Sequence, residues 1–198
     1  MSIIVGLTGQ SGAGKTTVSH TFIEHGFGVI NCDMVARNVT KDGSICNKKL
    51  SEIFPECFDD ELRLDRARLG ATVFKDRDKL KLLDDIIYPF INEDISREIK
   101  ALSEKYQYIL LDAPTLFEAG ADKLCSVIVS VIADEDVRLK RILQRDKIDE
   151  KKVKDRFSSQ LSADFFISHS DYVIENNGDI SILPEQTCTV ISKIKRKV

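Results

Sequence analysis

Near the start of the chain, Gly9 and Gly14 stand five positions apart, with Lys15 and Thr16 directly after the second glycine. This is the P-loop spacing, a device for holding phosphate. Glycine permits the positive φ angles of a tight turn and leaves room for a phosphate beside the backbone. The N–H groups of such a turn form an anion nest, and the following helix adds the positive end of its dipole. Gly9, Ser11, Gly12, Ala13, Gly14, Lys15, Thr16 and Thr17 are therefore the expected nucleotide-binding residues. Lys15 is expected to reach the β- and γ-phosphates, and the Thr16 hydroxyl to ligate Mg²⁺. An apolar run, Ile3-Ile4-Val5-Gly6-Leu7, leads in and helical spacing follows, so a glycine-rich turn that binds nothing is the weaker reading.

Chemistry on a bound triphosphate needs carboxylates and guanidinium groups. Asp33 follows an expected strand over residues 27–32, at the edge where ligands of open α/β sheets sit. The same position suits an N-cap for a helix starting near Met34, and spacing leaves both readings open. Asp112 ends the apolar run 108–111, as in a Walker B element whose carboxylate positions Mg²⁺ through water; an ordinary strand end is the alternative. Glu118 follows shortly after. Arg138, Arg141 and Arg145 recur at i, i+3 and i+7 on one expected helix, and Arg156 and Gln160 lie on the next, over 149–161. Such a pair suits a lid whose guanidinium groups stabilise a transferring phosphoryl, or else a solvated helix pair. Arg66 and Arg68 are candidates for an anionic acceptor, with exposed helix charges as the default. Asn176 could meet a purine edge, although Asn176-Asn177-Gly178 also reads as a turn.

The elements that must hold these groups alternate between short β-branched runs and longer helical segments. That pattern predicts an α/β fold with a parallel five-stranded sheet flanked by helices. Beyond the first two strands, the remaining strands are expected at 108–111, 126–133 and 172–175. A helix is expected from Lys15 to His25, ended by Gly26, with Val18, Phe22 and Ile23 towards the sheet. Residues 43–105 contain no convincing strand and read as helices over 46–54, 66–74, 78–88 and 90–105, punctuated by Pro55 and Pro89. Asp134 is placed to cap a helix running to Asp146, and a last helix spans 180–195 with Pro184 in its first turn.

Composition narrows the class. A length of 198 residues fits one domain with an inserted part, and 42% hydrophobic residues are enough for a core. A formal net charge of −3 argues against a dedicated nucleic-acid binder. The five cysteines form neither a Cys-x-x-Cys pair nor a Cys/His cluster, which fits reduced thiols rather than zinc. Neither a signal peptide nor an apolar run of about 20 residues is visible, so a cytoplasmic protein with no membrane partner is expected.

Taken in order, the segments resemble those of the dephospho-CoA kinase family along nearly the whole chain. The Gly6-Leu7-Thr8-Gly9 opening with Gly12–Thr17 resembles its P-loop, and Cys32-Asp33-Met34-Val35-Ala36-Arg37 its Asp-Ala-Asp segment. Leu64-Asp65-Arg66 with Leu69 and Val73-Phe74 is similar to an internal helix of the family. Asp112-Ala113-Pro114-Thr115-Leu116-Phe117-Glu118 is similar to its Pro-Leu-Leu-Phe-Glu element. Arg141, Arg145-Asp146, Arg156 and Gln160 fit its lid spacing, and the 170–176 segment its closing Ala-Asp-x-x-Ile-x-Asn. Departures are Asn31-Cys32 before Asp33, Tyr88 where His is usual before Pro, and Thr115 for the first Leu.

The resemblance implies a core (1–42, 106–133, 170–198), a helical acceptor-binding insertion (43–105) and a lid (134–169). It implies transfer of phosphoryl from ATP, with Mg²⁺, to the ribose 3′-hydroxyl of dephospho-CoA. Asp33, Lys15 and Arg141 are then the catalytic set, and Arg145 and Asn176 join the nucleotide site. Asp33, Arg66 and Glu118 meet the acceptor, while Thr16 and, through water, Asp112 serve the metal. The rivals are a P-loop kinase for a nucleoside or nucleotide, and a nucleotide switch. Against the switch, the chain carries neither an Asn-Lys-x-Asp run nor an Asp-x-x-Gly segment after a strand. Oligomeric state is not legible.

Overall fold

A computed structural model describes residues 2–197. The first strand, β1 (Ile3–Gly9), is buried along its whole length, as its continuous apolar run requires. It lies in a five-stranded parallel sheet with β2 (Gly28–Asn31), β3 (Tyr108–Asp112), β4 (Val127–Ile132) and β5 (Tyr172–Glu175), in the order β2-β3-β1-β4-β5. Leu7 of β1 is in register with Asp112, and Gly9 with Val131. The strand that feeds the P-loop thus runs between the strand that ends in Asp112 and the strand that leads to the expected lid.

The chain divides into two compact units, one of Met1–Val29 with Leu102–Val198 and one of Ile30–Ala101. In the first, α1 (Lys15–Glu24) and α9 (Leu183–Arg196) share a core with the sheet. Val18 and Phe22 of α1 and Ile191 and Ile194 of α9 are buried there with Val5, Leu7 and Val129. Phe22 meets Phe27 edge to face at 4.9 Å. Ile23 is exposed instead of facing the sheet, because the i and i+4 positions Val18 and Phe22 already fill that stripe. The same unit carries α6 (Glu135–Asp146), α7 (Glu150–Ser158) and α8 (Ala163–His169).

The second unit is helical: α2 (Cys32–Val39), α3 (Ile45–Ile53), α4 (Arg66–Val73) and α5 (Arg77–Leu102). Its buried side chains include Val35, Val39, Leu50, Leu69, Val73 and Ile95.

Several boundaries differ from the sequence reading for local reasons. Asn31 accepts the Met34 N–H at 3.0 Å, so α2 starts at Cys32 and β2 stops one residue before it. Pro89 does not split the long segment: α5 runs unbroken for 26 residues with the proline inside. A proline removes one backbone bond, and long helical flanks on both sides keep the rest. Ser162 accepts the Phe165 N–H at 3.1 Å and opens α8, a helix the periodicity did not suggest. Asp134 stands at the cap of α6, but its side chain makes no capping bond. The last helix begins at Leu183, after a 3₁₀ turn at Ile180–Ile182, with Pro184 in its first turn. Among the described residues, no helix is long and apolar enough to cross a membrane.

Phe22→Ala should cost about 3–5 kcal/mol in unfolding free energy, read from the urea midpoint, because the side chain is fully buried.

Candidate active site

The loop between β1 and α1 has the backbone a phosphate needs. Gly9, Gly12 and Gly14 take φ of 146°, 81° and 107°. A Cβ on Gly9 would lie 2.2 Å from the Val131 carbonyl oxygen, and one on Gly14 would lie 2.6 Å from Asn176 Nδ2. Glycine is required at both on two counts, conformation and space. Within the loop, Gln10 N–H donates to Val131 O at 3.1 Å and Ala13 N–H to Gln10 O at 3.1 Å. Thr17 N–H donates to Gly14 O at 3.0 Å. The amides of Ala13 and Thr17, expected among the phosphate donors, are therefore spent inside the turn. Those of Gly12, Gly14, Lys15 and Thr16 have no acceptor among the described residues and form the nest.

Lys15 Nζ is paired with Asp112 Oδ1. The register of β1 against β3 brings Asp112 level with Leu7, just before the loop begins. Thr16 is exposed, and its hydroxyl is free of hydrogen bonds among the described residues. A hydroxyl and a single carboxylate make a sparse donor set. It suits Mg²⁺, which keeps several waters and takes its other ligands from substrate phosphates. Among the described residues there is no cluster of three or more His, Cys, Asp or Glu that would form an all-protein cage.

The arginines of α6 do not act as one cluster. Arg138 is buried, donates from Nε to Ala133 O at 3.0 Å, and lies 4.1 Å over the Phe157 ring. Burial lowers its pKa from the usual guanidinium value. Arg141 donates to Asn176 O at 2.9 Å, to Asn176 Oδ1 at 3.3 Å and to Gly178 O at 3.1 Å. Arg145 forks onto its neighbour Asp146 at 2.6 and 3.1 Å, and Arg156 of α7 adds a bond at 3.0 Å. These bonds, that of Arg145 first, draw the Asp146 pKa down from 3.8 to about 2.

Asn176 is only 2% exposed, and its Nδ2 donates to Ala13 O at 2.7 Å. Its amide faces the back of the P-loop, not an open base pocket, so the purine contact read from sequence does not fit this geometry. Arg141 holds Asn176, and Asn176 holds the loop.

The contact between Gln160 and Ser11 also escaped the sequence reading of the site. Gln160, just beyond α7, accepts the Ser11 N–H on Oε1 at 3.2 Å and donates from Nε2 to Ser11 Oγ at 3.0 Å. No spacing signal could have found it, since 149 positions separate the two residues.

In the helical unit, Asp33 lies in the first turn of α2 and is exposed. Its carboxylate has no hydrogen bond or ion pair among the described residues, because Asn31 does the capping. Arg66, at the start of α4, donates from Nη2 to Arg37 O at 3.3 Å and to Thr40 O at 3.1 Å, tying down the end of α2. Tyr88 hydrogen-bonds Asp84, whose pKa is nonetheless raised, chiefly by burial. Glu118 belongs to the other unit, exposed in the turn after β3.

A family model described as dephospho-CoA kinase matches residues 3–181. A dephospho-CoA kinase of Fusobacterium nucleatum is 38% identical over 186 residues, covering 92% of this chain and 94% of that protein. A crystal structure from Thermus thermophilus superposes with a TM-score of 0.84 at 27% identity, covering 97% of each chain. The structure of a dephospho-CoA kinase from Campylobacter jejuni shares the fold, with a TM-score of 0.73 at 24% identity over 100% of this chain and 99% of that one.

Two outcomes follow from the geometry. Gln160→Ala should speed hydrogen exchange of the Ser11 amide in the nucleotide-free protein by about fivefold, the loss of a bond worth roughly 1 kcal/mol. The Asp146 carboxyl, followed by NMR, should titrate near pH 2 instead of its ordinary 3.8. Because the folded value is depressed, the clasp between α6 and α7 should be complete above about pH 4 and be lost as pH falls through that lower value.

Proposed function

The chain belongs to the dephospho-CoA kinase family, and on that premise we propose which of its residues carry each part of the reaction. The protein transfers the γ-phosphoryl group of ATP to the ribose 3′-hydroxyl of dephospho-CoA, giving coenzyme A and ADP. Such transfer demands positioning and charge neutralisation more than covalent chemistry.

The free N–H groups of Gly12, Gly14, Lys15 and Thr16, with the positive end of α1, hold the β- and γ-phosphates. Lys15 turns from Asp112 to the phosphate oxygens when they arrive. The Thr16 hydroxyl and, through water, Asp112 would hold Mg²⁺, which supplies charge neutralisation on the β/γ oxygens. Ser11 turns its amide from Gln160 to the nucleotide. Arg141, expected from the sequence to be catalytic, is committed to Asn176 and Gly178 and is assigned instead to keeping the loop in shape, and Arg145 is the α6 guanidinium exposed enough to reach the transferring group. Arg66 and Glu118 are assigned to the acceptor. The reaction is assigned to the cytoplasm, where cysteine thiols stay reduced.

Asp33 receives the acceptor's 3′-hydroxyl and takes or directs its proton. One observation carries this assignment. The helix that carries Asp33 in its first turn is already capped by Asn31, which leaves the carboxylate without a hydrogen bond or ion pair among the described residues.

The activity is tested by ADP release with and without dephospho-CoA; release that ignores the acceptor would overturn it. Asp33→Asn should lower kcat by about 10²–10⁴-fold with ATP binding retained. Lys15→Ala should abolish measurable transfer while far-ultraviolet circular dichroism stays native.

A further inference from the structure

Where the end of α1 meets α9, a nucleophile and a base stand together that phosphoryl transfer does not use. His25 directly follows α1, and Cys188 lies in the second turn of α9. Both belong to the unit that contains the P-loop. Cys188 Sγ and His25 Nε2 are 3.6 Å apart, a hydrogen-bond contact for sulfur. The other ring nitrogen fixes how that contact works. His25 Nδ1 lies 2.8 Å from the Thr21 carbonyl oxygen, which can only accept, so Nδ1 carries the hydrogen. The neutral ring therefore presents the lone pair of Nε2 to the thiol, and the S–H donates to it. The main chain of the histidine is held as well. Lys195 Nζ donates to His25 O at 3.0 Å and lies 5.5 Å from the ring centroids of Phe27 and Tyr108. A nucleophile, a base and a third group that orients the base form the arrangement that activates a thiol.

The other thiols sit in different settings. Cys46 and Cys57 are buried. Burial pushes the Cys46 thiol up to about 11 and the Cys125 thiol up to about 12, which keeps both protonated and inert. Cys32 is partly exposed, but the unit that holds it contains no histidine. Cys188 is partly exposed and His25 is exposed, so the pair is open to small molecules in solvent.

We propose that Cys188 is a site of reversible thiol modification that forms mixed disulfides with low-molecular-weight disulfides, with His25 as its base. His25 Nε2 takes the proton from Cys188 Sγ. The sulfur attacks one sulfur of the incoming disulfide, and a new S–S bond forms as the old one breaks. The departing thiolate collects the proton from Nε2 and leaves as a thiol. The Cys188 sulfur is oxidised and the leaving sulfur is reduced, so the disulfide is the only co-reactant. An unassisted thiol is only about a few per cent thiolate at neutral pH, which is why a base in contact with the sulfur decides the rate. The assignment is independent of the kinase reading and adds a second chemistry on the far end of α1.

The test treats the whole reduced chain with dithiodipyridine, a neutral disulfide, near neutral pH. Absorbance of the released thiopyridone gives the rate, and peptide mass locates the first adduct. That adduct should lie on Cys188 and be removed by dithiothreitol. Cys188→Ser should lose the fast phase. His25→Asn should form the same adduct about tenfold more slowly. A comparison that needs no variant uses the wild-type chain unfolded in urea, where the contact is broken. Cys188 should react about tenfold faster in the native protein than in urea. A first adduct on any other cysteine would overturn the assignment of the site. A His25→Asn rate equal to or above that of the wild type, or a native Cys188 no faster than the unfolded one, would overturn the role of His25.

Discussion

The site depends on a backbone that must pass where no side chain fits. Gly9 runs so close to Val131 of β4 that a methyl group would overlap the carbonyl, and Gly14 leaves little more room against Asn176. Both glycines also hold φ values that other residues avoid. The loop is therefore clamped from two sides, by a neighbouring strand and by an asparagine at the end of β5. Clamping turns the amides of Gly12 through Thr16 away from the protein, save that of Ala13, which closes the turn on Gln10. An anion finds donors already aligned, so little reorganisation opposes its binding.

Charge in the same unit is handled by pairing. Lys15 leans on Asp112, Arg145 and Arg156 share Asp146, and Arg138 is stacked on Phe157 and bonded to a carbonyl. Arg141 is spent on the turn that carries Asn176. The Arg141–Asn176–Ala13 chain links a helix of the expected lid to the loop by hydrogen bonds alone.

The parts legible in the sequence were those dictated locally. Glycine spacing, an apolar run and a following helix specify the P-loop without help from distant residues. The largely buried strands β1, β3 and β4 were equally plain. Contacts across the chain were not: Asn176 meets Ala13 over 163 positions, and Gln160 meets Ser11 over 149. Nothing in residue type distinguishes an asparagine that braces a loop from one that reads a base. The three arginines on one face of α6 were visible as a pattern, but periodicity says which residues share a face, not what each one touches. Helix ends turned on single side chains. Asn31 rather than Asp33 caps α2, and Ser162 starts a helix of only seven residues, too short to show a period. Pro89 was read as a break because the rule is local, whereas the helix around it is held by 26 residues.

The ion pair between Lys15 and Asp112 bears on which anions the loop favours. A carboxylate is already seated against the ammonium group, so an incoming anion competes with it for the same charge. Chloride or a lone monoanionic solute brings too little to displace an attached, partly desolvated partner. A polyphosphate engages the amide nest at several oxygens at once and can offset the loss. The pair thus favours ligands that bring more than one negative charge to this ammonium group.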